Sequence, residues 1–516
     1  MTTSDSLPPL EFGSNGCAIA LPGAEEILLA AVKKGEQAEV PGKRDPEDPA
    51  VWRAEHTIRA EFLRHICLHP DDYDVDPRGI FICGAFIQGT FNLLNWEMNH
   101  LLAFERCRFN SPPDFTHTRT RSMRFDHCFL PGLRADGLNV AGILILADST
   151  VEGETRLLGA DITGQLACTG TTFTNEGGKA FSADRLKVGG NVFLDSVTVT
   201  GGTILSGAEI MGQLVCIGST FTNKVGDAFM AQGLKVTGAF VWRDLKSSPV
   251  GLVDFSSAQV GVLEDDSSAW PVGGQLLLDG FVYERFGFST TAEERLLWLG
   301  RMPDRDGNDV PVFLSQPYEQ LIKVFRDAGR EHEARKIAIA KQDTYTDHLR
   351  HMEAYTGHST FWRFAGRWLL KNVAGYGYES KQATVWGIFF ILIGWGIFGI
   401  AYNNGYMAPS KERIVIHDCY VGVQKNCTGW KPYDLRFNKD KKLIIPADYP
   451  EFNSFVFTLD AFVPIVDLHQ ENYWSPTSNA GHGDGFVRLW LWLHIILGWA
   501  LTTIAINGLA AIIKKD

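Results

Sequence analysis

No stretch in the first 380 residues is long and apolar enough to cross a bilayer, which takes about 20 residues to cover a core of ~30 Å. The N-terminus, MTTSD, lacks the basic region and apolar core of a secretory signal, so this part is expected in the cytoplasm. Basic tracts are missing as well. The formal net charge is −12 and the soluble part has no Arg/Lys-rich arm, so nucleic acid is not expected as a partner. There is no Gly-x-Gly-x-x-Gly after a strand, no phosphate-loop Gly-Lys-Ser/Thr, no Gly-x-Ser-x-Gly and no His-Glu-x-x-His. The nine cysteines form no Cys-x-x-Cys pair, and the 14 histidines have no ligand spacing. An oxidoreductase needs a cofactor to carry its electrons, and no cofactor fingerprint is visible. We therefore assign no catalytic residue, metal or cofactor. Acidic runs such as Glu264-Asp265-Asp266 read as solvated loops.

What is present is a repeat. GADITGQLACTGTTFTN from Gly159 returns as GAEIMGQLVCIGSTFTN from Gly207, an offset of 48 residues. Within it, glycines recur at Gly142, Gly164, Gly190, Gly212 and Gly238, in steps of 22, 26, 22 and 26. The long step carries an extra polar stretch, Asn175–Lys179 or Asn223–Asp227, expected to bulge as a loop. Short runs such as Val192–Asp195 and Ile143–Leu146 are rich in Val, Ile, Leu and Phe between Gly, Asn and Asp, which is strand-turn chemistry. About 22 residues per step suits one coil of a right-handed parallel β-helix, whose coils bury side chains by stacking. Cys107, Cys128, Cys168 and Cys216 fall at comparable places on the coils and read as small core residues. GADIT and Phe104–Phe109 (FERCRF) resemble degenerate pentapeptide repeats over roughly residues 80–265.

The fold class is mainly β, followed by a helical hairpin and two transmembrane helices. Residues 1–75 form a helical cap, 76–270 the β-helix and 285–350 the hairpin region. In the hairpin, Ser315 is an expected N-cap before Pro317. Tyr318, Leu321, Ile322 and Phe325 make one apolar face, and Ala334, Ile337, Ala338 and Lys341 lie in register on the second helix. Pro317–Gln342 resembles a single tetratricopeptide-type hairpin. Residues 355–382 include FWRFAGRWLLK, expected as an amphipathic interfacial helix.

The two long apolar runs are 384–402 and 487–513. Basic residues Arg363, Arg367, Lys371 and Lys381 precede the first, and Lys514 and Lys515 follow the second. Both termini are therefore expected on the cytoplasmic side, with 404–486 outside. An oxidising outer face would favour a disulfide between Cys419 and Cys427. Gly387, Gly394, Gly396, Gly399, Gly498 and Gly508 allow close helix contact, so the spans are expected to pair or to build a homo-oligomer. His494 and Asn507 are the clearly polar groups deep in the second span.

Inside the connector, Phe452–Leu468 is apolar and broken by Pro464, which suits either a re-entrant element or a helix on the outer leaflet. Thr458, Asp460, Pro464 and Asp467 are its candidate pore residues, with Asp460 and Asp467 on roughly one face. The order span, short apolar helix, acidic turn, span resembles two-span pore-loop cation channels, with VPIVD (Val463–Asp467) in place of a Thr-Val-Gly-Tyr-Gly filter. The whole chain, with QPYEQL at Gln316 and GYGY at Gly375, resembles bacterial inner-membrane proteins often labelled membrane-associated oxidoreductases. These features favour a membrane-anchored scaffold or sensor with a protein partner on the β-helix. The alternative is an oligomeric pore gated by that domain, and a second alternative is the oxidoreductase that the family label implies.

Overall fold

In a computed structural model the described residues are 23–305, 309–310, 312–356, 371, 380–411, 428–434, 442–477 and 484–513. The chain divides into two compact units, Met1–Met352 and Glu353–Asp516.

The first unit is a parallel β-solenoid of about nine turns followed by helices. One inward column runs through successive coils. Met123, Leu144, Leu166, Val192, Leu214, Phe240 and Leu263 pair in register and are all buried. This is the period-2 logic of a strand applied between coils, since each coil buries its apolar face only on its neighbours.

The repeating glycines form a second column. Gly164 N donates to Gly142 O at 2.8 Å, Gly190 N to Gly164 O at 2.6 Å, and Gly212 N to Gly190 O at 3.0 Å. A Cβ on Gly164, Gly190, Gly212 or Gly238 would lie 2.4–2.7 Å from the carbonyl oxygen of the glycine one coil earlier. The repeat is therefore a close-approach requirement between backbones. Each coil also turns through a left-handed residue, giving the series Asn95, His117, Gly137, Gly159, Arg185, Gly207, Gly233, Ser257 and Gly280.

Three expectations change. The parallel sheets begin earlier and end later than the visible repeat: Gln37–Glu39 and Thr57–Arg59 already pair with Ile80–Cys83 and Phe86–Gln88, and the last strand is Val282–Phe286. These coils lack the glycine column, so they carry no repeat signal. The polar stretches 175–179 and 223–227 bulge as expected, but within strands and not as separate loops. They are bulges inside the long strands Thr172–Ser182 and Thr220–Met230, closed by Asn175 Nδ2 on Lys179 O and Asn223 Nδ2 on Asp227 O. The four cysteines occupy two columns, not one. Cys168 and Cys216 lie two residues after the inward leucines Leu166 and Leu214. Cys107 and Cys128 share a position with Ser149, Thr171 and Ser219, each reaching a carbonyl of the coil before. That second column selects a small side chain with a weak or strong donor.

Helices Gly23–Val32 and Ala60–Leu68 pack at the N-terminal end, where Glu25 is fully buried. It accepts from Arg59 N and Nε at 3.0 and 2.9 Å, and from Nη2 at 2.6 Å, the dense pairing that a buried charge requires.

At the other end, helices Ala292–Leu299, Gln316–Asp327 and Glu331–Thr356 follow. Ser315 sits before the second, but its side chain makes no cap and its backbone is already helical. Tyr318, Leu321, Ile322 and Phe325 are buried, as are Ala334, Ile337 and Ala338, and Lys341 pairs with Glu319. The glutamines of QPYEQL hold the last coil. Gln316 Oε1 accepts from Gly280 N at 2.9 Å and its Nε2 donates to Phe281 O at 3.2 Å. Gln320 Nε2 donates to Tyr283 O at 2.6 Å. A sheet edge must be covered or paired, and here side-chain amides supply the missing strand. Asp265 is not in a solvated loop either. It is buried, accepts from Trp270 Nε1 at 2.7 Å and binds Arg295 through both oxygens at 2.7 Å.

In the second unit, helices Ser380–Asn403 and Asp484–Ile513 contain two 22-residue segments long and apolar enough to cross a membrane. Large apolar side chains such as Phe389, Trp395, Trp492 and Ile496 stand exposed on them, which suits lipid as the solvent. The connector forms two small antiparallel pairs, Met407–Pro409 with Trp474–Pro476 and Trp430–Asp434 with Lys442–Pro446.

Candidate functional site

The candidate site is the short helix Ser454–Phe462 and the chain that returns from it. Asn453 starts the helix, its Oδ1 accepting from Phe455 N and Val456 N at 3.1 Å. The helix lies between the two long ones and packs on both. Ser454 meets Gly399, Thr458 meets Gly394, and the Phe462 ring reaches Gly387. Along the second long helix, Thr458 is level with His494 and Phe462 with Gly498. At about 1.5 Å per residue, Gly498 is roughly 20 Å along that helix from Gly485, past the midpoint of the apolar segment Gly485–Ile506.

The span glycines thus have a use other than direct span pairing. A Cβ at Gly394 would lie 2.6 Å from His494 Cε1 and 2.8 Å from Thr458 Cγ2, and one at Gly498 would lie 2.0 Å from Phe462 O. Gly387, Gly394, Gly399 and Gly498 all make room for the inserted helix, while Gly396 faces open space.

After Phe462 the chain turns at Pro464-Ile465 and comes back. Asp460 secures the return. Its Oδ1 accepts from Leu468 N at 2.6 Å and its Oδ2 from Glu471 N at 2.8 Å, and the residue is 8% exposed. Asp460 therefore does not share a lining face with Asp467. It faces inward as a clasp, because two backbone amides in an apolar setting need a strong acceptor. Asp467 is exposed, accepting from His469 N at 2.9 Å, with His469 Nδ1 at 2.8 Å. Every residue from Pro464 to His469 is exposed.

Thr458 is buried, and its hydroxyl donates to Ser454 O at 2.6 Å. His494 is fully buried, with Nε2 3.4 Å from Thr458 O, and among the described residues its Nδ1 has no partner. The rings of Phe398, Phe462 and Trp490 surround it. It is a contact between the inserted helix and the second long helix. The side chain of Asn507, the pair Cys419 and Cys427, and the amphipathic stretch 361–370 lie outside the described residues.

Sequence reasoning placed Asp460 by helical periodicity and missed its clasp. Asp460 binds amides eight and eleven residues ahead, a spacing no local pattern encodes. Comparison of the chain with models of protein families, with curated proteins and with solved structures finds no match.

Proposed function

We propose that this chain is the subunit of an oligomeric membrane pore for cations, with Val463–Leu468 along the path. One observation carries the reading: an irregular, exposed segment at the depth of two membrane-length helices. Non-helical backbone is tolerated at that depth only against protein or water, not against lipid. Further copies of the chain arranged around a wet axis supply both. The C-terminal end of helix Ser454–Phe462 points to the same place, and the partial negative charge of a helix C-terminus favours a cation. Asp467, exposed at the outer side of the turn, would add a ring of carboxylates.

In this reading both termini are cytoplasmic, supported by Lys381 before the first span and Lys514 and Lys515 after the second. An impermeant thiol reagent tests it. Cys419 and Cys427 should react from outside after reduction, while a cysteine placed at exposed Met211 of the solenoid should not. Reaction of Met211→Cys instead would reverse the topology. The solenoid is read as the degenerate pentapeptide type of bacterial inner-membrane chains, supported by its column of small residues; the oxidoreductase label rests on the resemblance alone.

The function test is ion flux through purified protein in liposomes. Cation flux supports the pore. Silent liposomes across voltages and lipid compositions favour the anchored scaffold, whose support is the rigid solenoid surface.

A further inference from the structure

We propose that the cavity at the C-terminal end of the solenoid binds a small planar ligand carrying an anionic group. The cavity measures about 470 Å³ and is lined by Asp265, Trp270, Phe288, Arg295, Trp298 and Arg301, among others. That volume falls in the usual range for small-molecule sites, roughly 300–1,000 Å³. The inference is independent of the pore reading, since it concerns the first unit alone.

The apolar part of the lining calls for a flat body. Trp270 and Trp298 are buried, whereas Phe288 is 55% exposed and Leu297, also on the wall, 74% exposed. Two large apolar groups left in water beside buried aromatic rings gain by covering, and rings prefer offset stacking or edge contacts with another ring.

The polar part calls for an acceptor. Asp265 already takes Trp270 Nε1 and both Arg295 nitrogens. Asp266, also on the wall, takes Ser268 N, Ser268 Oγ and Ala269 N on one oxygen and Asp244 N on the other. Glu294 serves Thr290 Oγ1 and Thr291 N at the start of helix Ala292–Leu299. Asp265 and Asp266 are committed on both oxygens, and Glu294 through Oε2. The arginines are less so, because a guanidinium has five N–H groups. Arg295 spends its bonds on Thr290 Oγ1 and Asp265, and lies over the Phe286 ring at 4.1 Å. Among the described residues Arg301 bonds only carbonyls, those of Trp270 at 2.7 Å, Pro271 at 3.3 Å and Ser267 at 2.7 Å. Carbonyls orient Arg301 without cancelling its charge. Three carboxylates and two guanidiniums line the wall, but Arg295 is paired with Asp265 while Arg301, among the described residues, has no carboxylate partner, and its open N–H groups are what a carboxylate or a phosphate monoester on a planar ring would use.

The test uses the full-length protein in detergent with two probes, phenylacetate and adenosine monophosphate, each beside its neutral counterpart, phenylacetamide or adenosine. Binding is read by calorimetry. At least one acid should bind about tenfold more tightly than its neutral partner, and Arg301→Gln should erase that difference. Phe288→Ala, at an exposed position, should weaken the same acid several-fold while the protein melts as before. Preference for phenylacetate assigns a carboxylate ligand, and preference for the nucleotide a phosphate ligand. The proposal fails if neither acid binds. It also fails if acid and neutral forms bind alike, or if Phe288→Ala binds like the parent.

Discussion

A side chain on Gly498 would place its Cβ 2.0 Å from the carbonyl oxygen of Phe462. That contact fixes how deep the inserted helix sits, because no residue but glycine lets its last turn touch the second long helix there. Gly498→Val should therefore cost about 1–3 kcal/mol through forced displacement of packed backbone. Gly396→Val, with nothing within 4 Å of its Cβ, should leave melting in detergent unchanged. Equal melting of the two variants would mean the inserted helix does not rest on Gly498.

Glu471 offers a pH test outside the spans. Burial, then the carboxylates of Asp460 and Asp467, raise its carboxyl above the ordinary value. An acid harder to ionise in the fold than in the unfolded chain subtracts stability as pH rises from about 4.3 through the raised folded value. Glu471→Gln should then melt slightly higher than the parent at neutral pH, and the gap should close once the pH falls below about 4. The residue keeps contact with solvent, so screening discounts the effect on stability. A gap that widens on acidification would give the wrong sign.

The solenoid makes a sharper prediction. Gly190→Ala puts a methyl 2.7 Å from Gly164 O and should destabilise by about 1–3 kcal/mol. Leu166→Asp buries an unpaired carboxylate in the inward column and should cost several kcal/mol. Both are read by denaturant melts of the full chain, and parent-like melting of Leu166→Asp would remove that residue from the core.

Gln320→Leu keeps the bulk of the helix face but leaves Tyr283 O without its amide, at a cost of about 1–3 kcal/mol for a buried acceptor. Hydrogen exchange over Val282–Phe286 should speed up, while exchange over Lys235–Trp242 stays as in the parent. Unchanged exchange at the last strand would show that the glutamine does not hold it.

The middle coils were legible because glycine spacing reports a backbone contact, and a contact repeated coil after coil leaves a period. The first and last coils were not, since strands Gln37–Glu39 and Val282–Phe286 are held by register and by Gln316 and Gln320, which leave no period. The motif QPYEQL was visible, but its role as an edge clamp needed the partner carbonyls. In the second unit, length and composition identified the helices, and Pro464 located the turn. The roles of Gly394, Gly498 and Asp460 depend on what the inserted helix meets across sequence gaps of tens of residues, or on amides ahead of it. Neither is local.

The most direct measurement is cation flux through liposomes carrying the parent or Asp467→Asn, with the oligomeric state of each checked in detergent. Asp467 is exposed and, among the described residues, makes only local bonds, so the variant should assemble and melt as the parent does. Flux is expected for the parent, with a sharp drop, about tenfold, for Asp467→Asn when a ring of carboxylates is neutralised. A parent that is monomeric and silent would contradict the pore reading, as would equal flux in parent and variant.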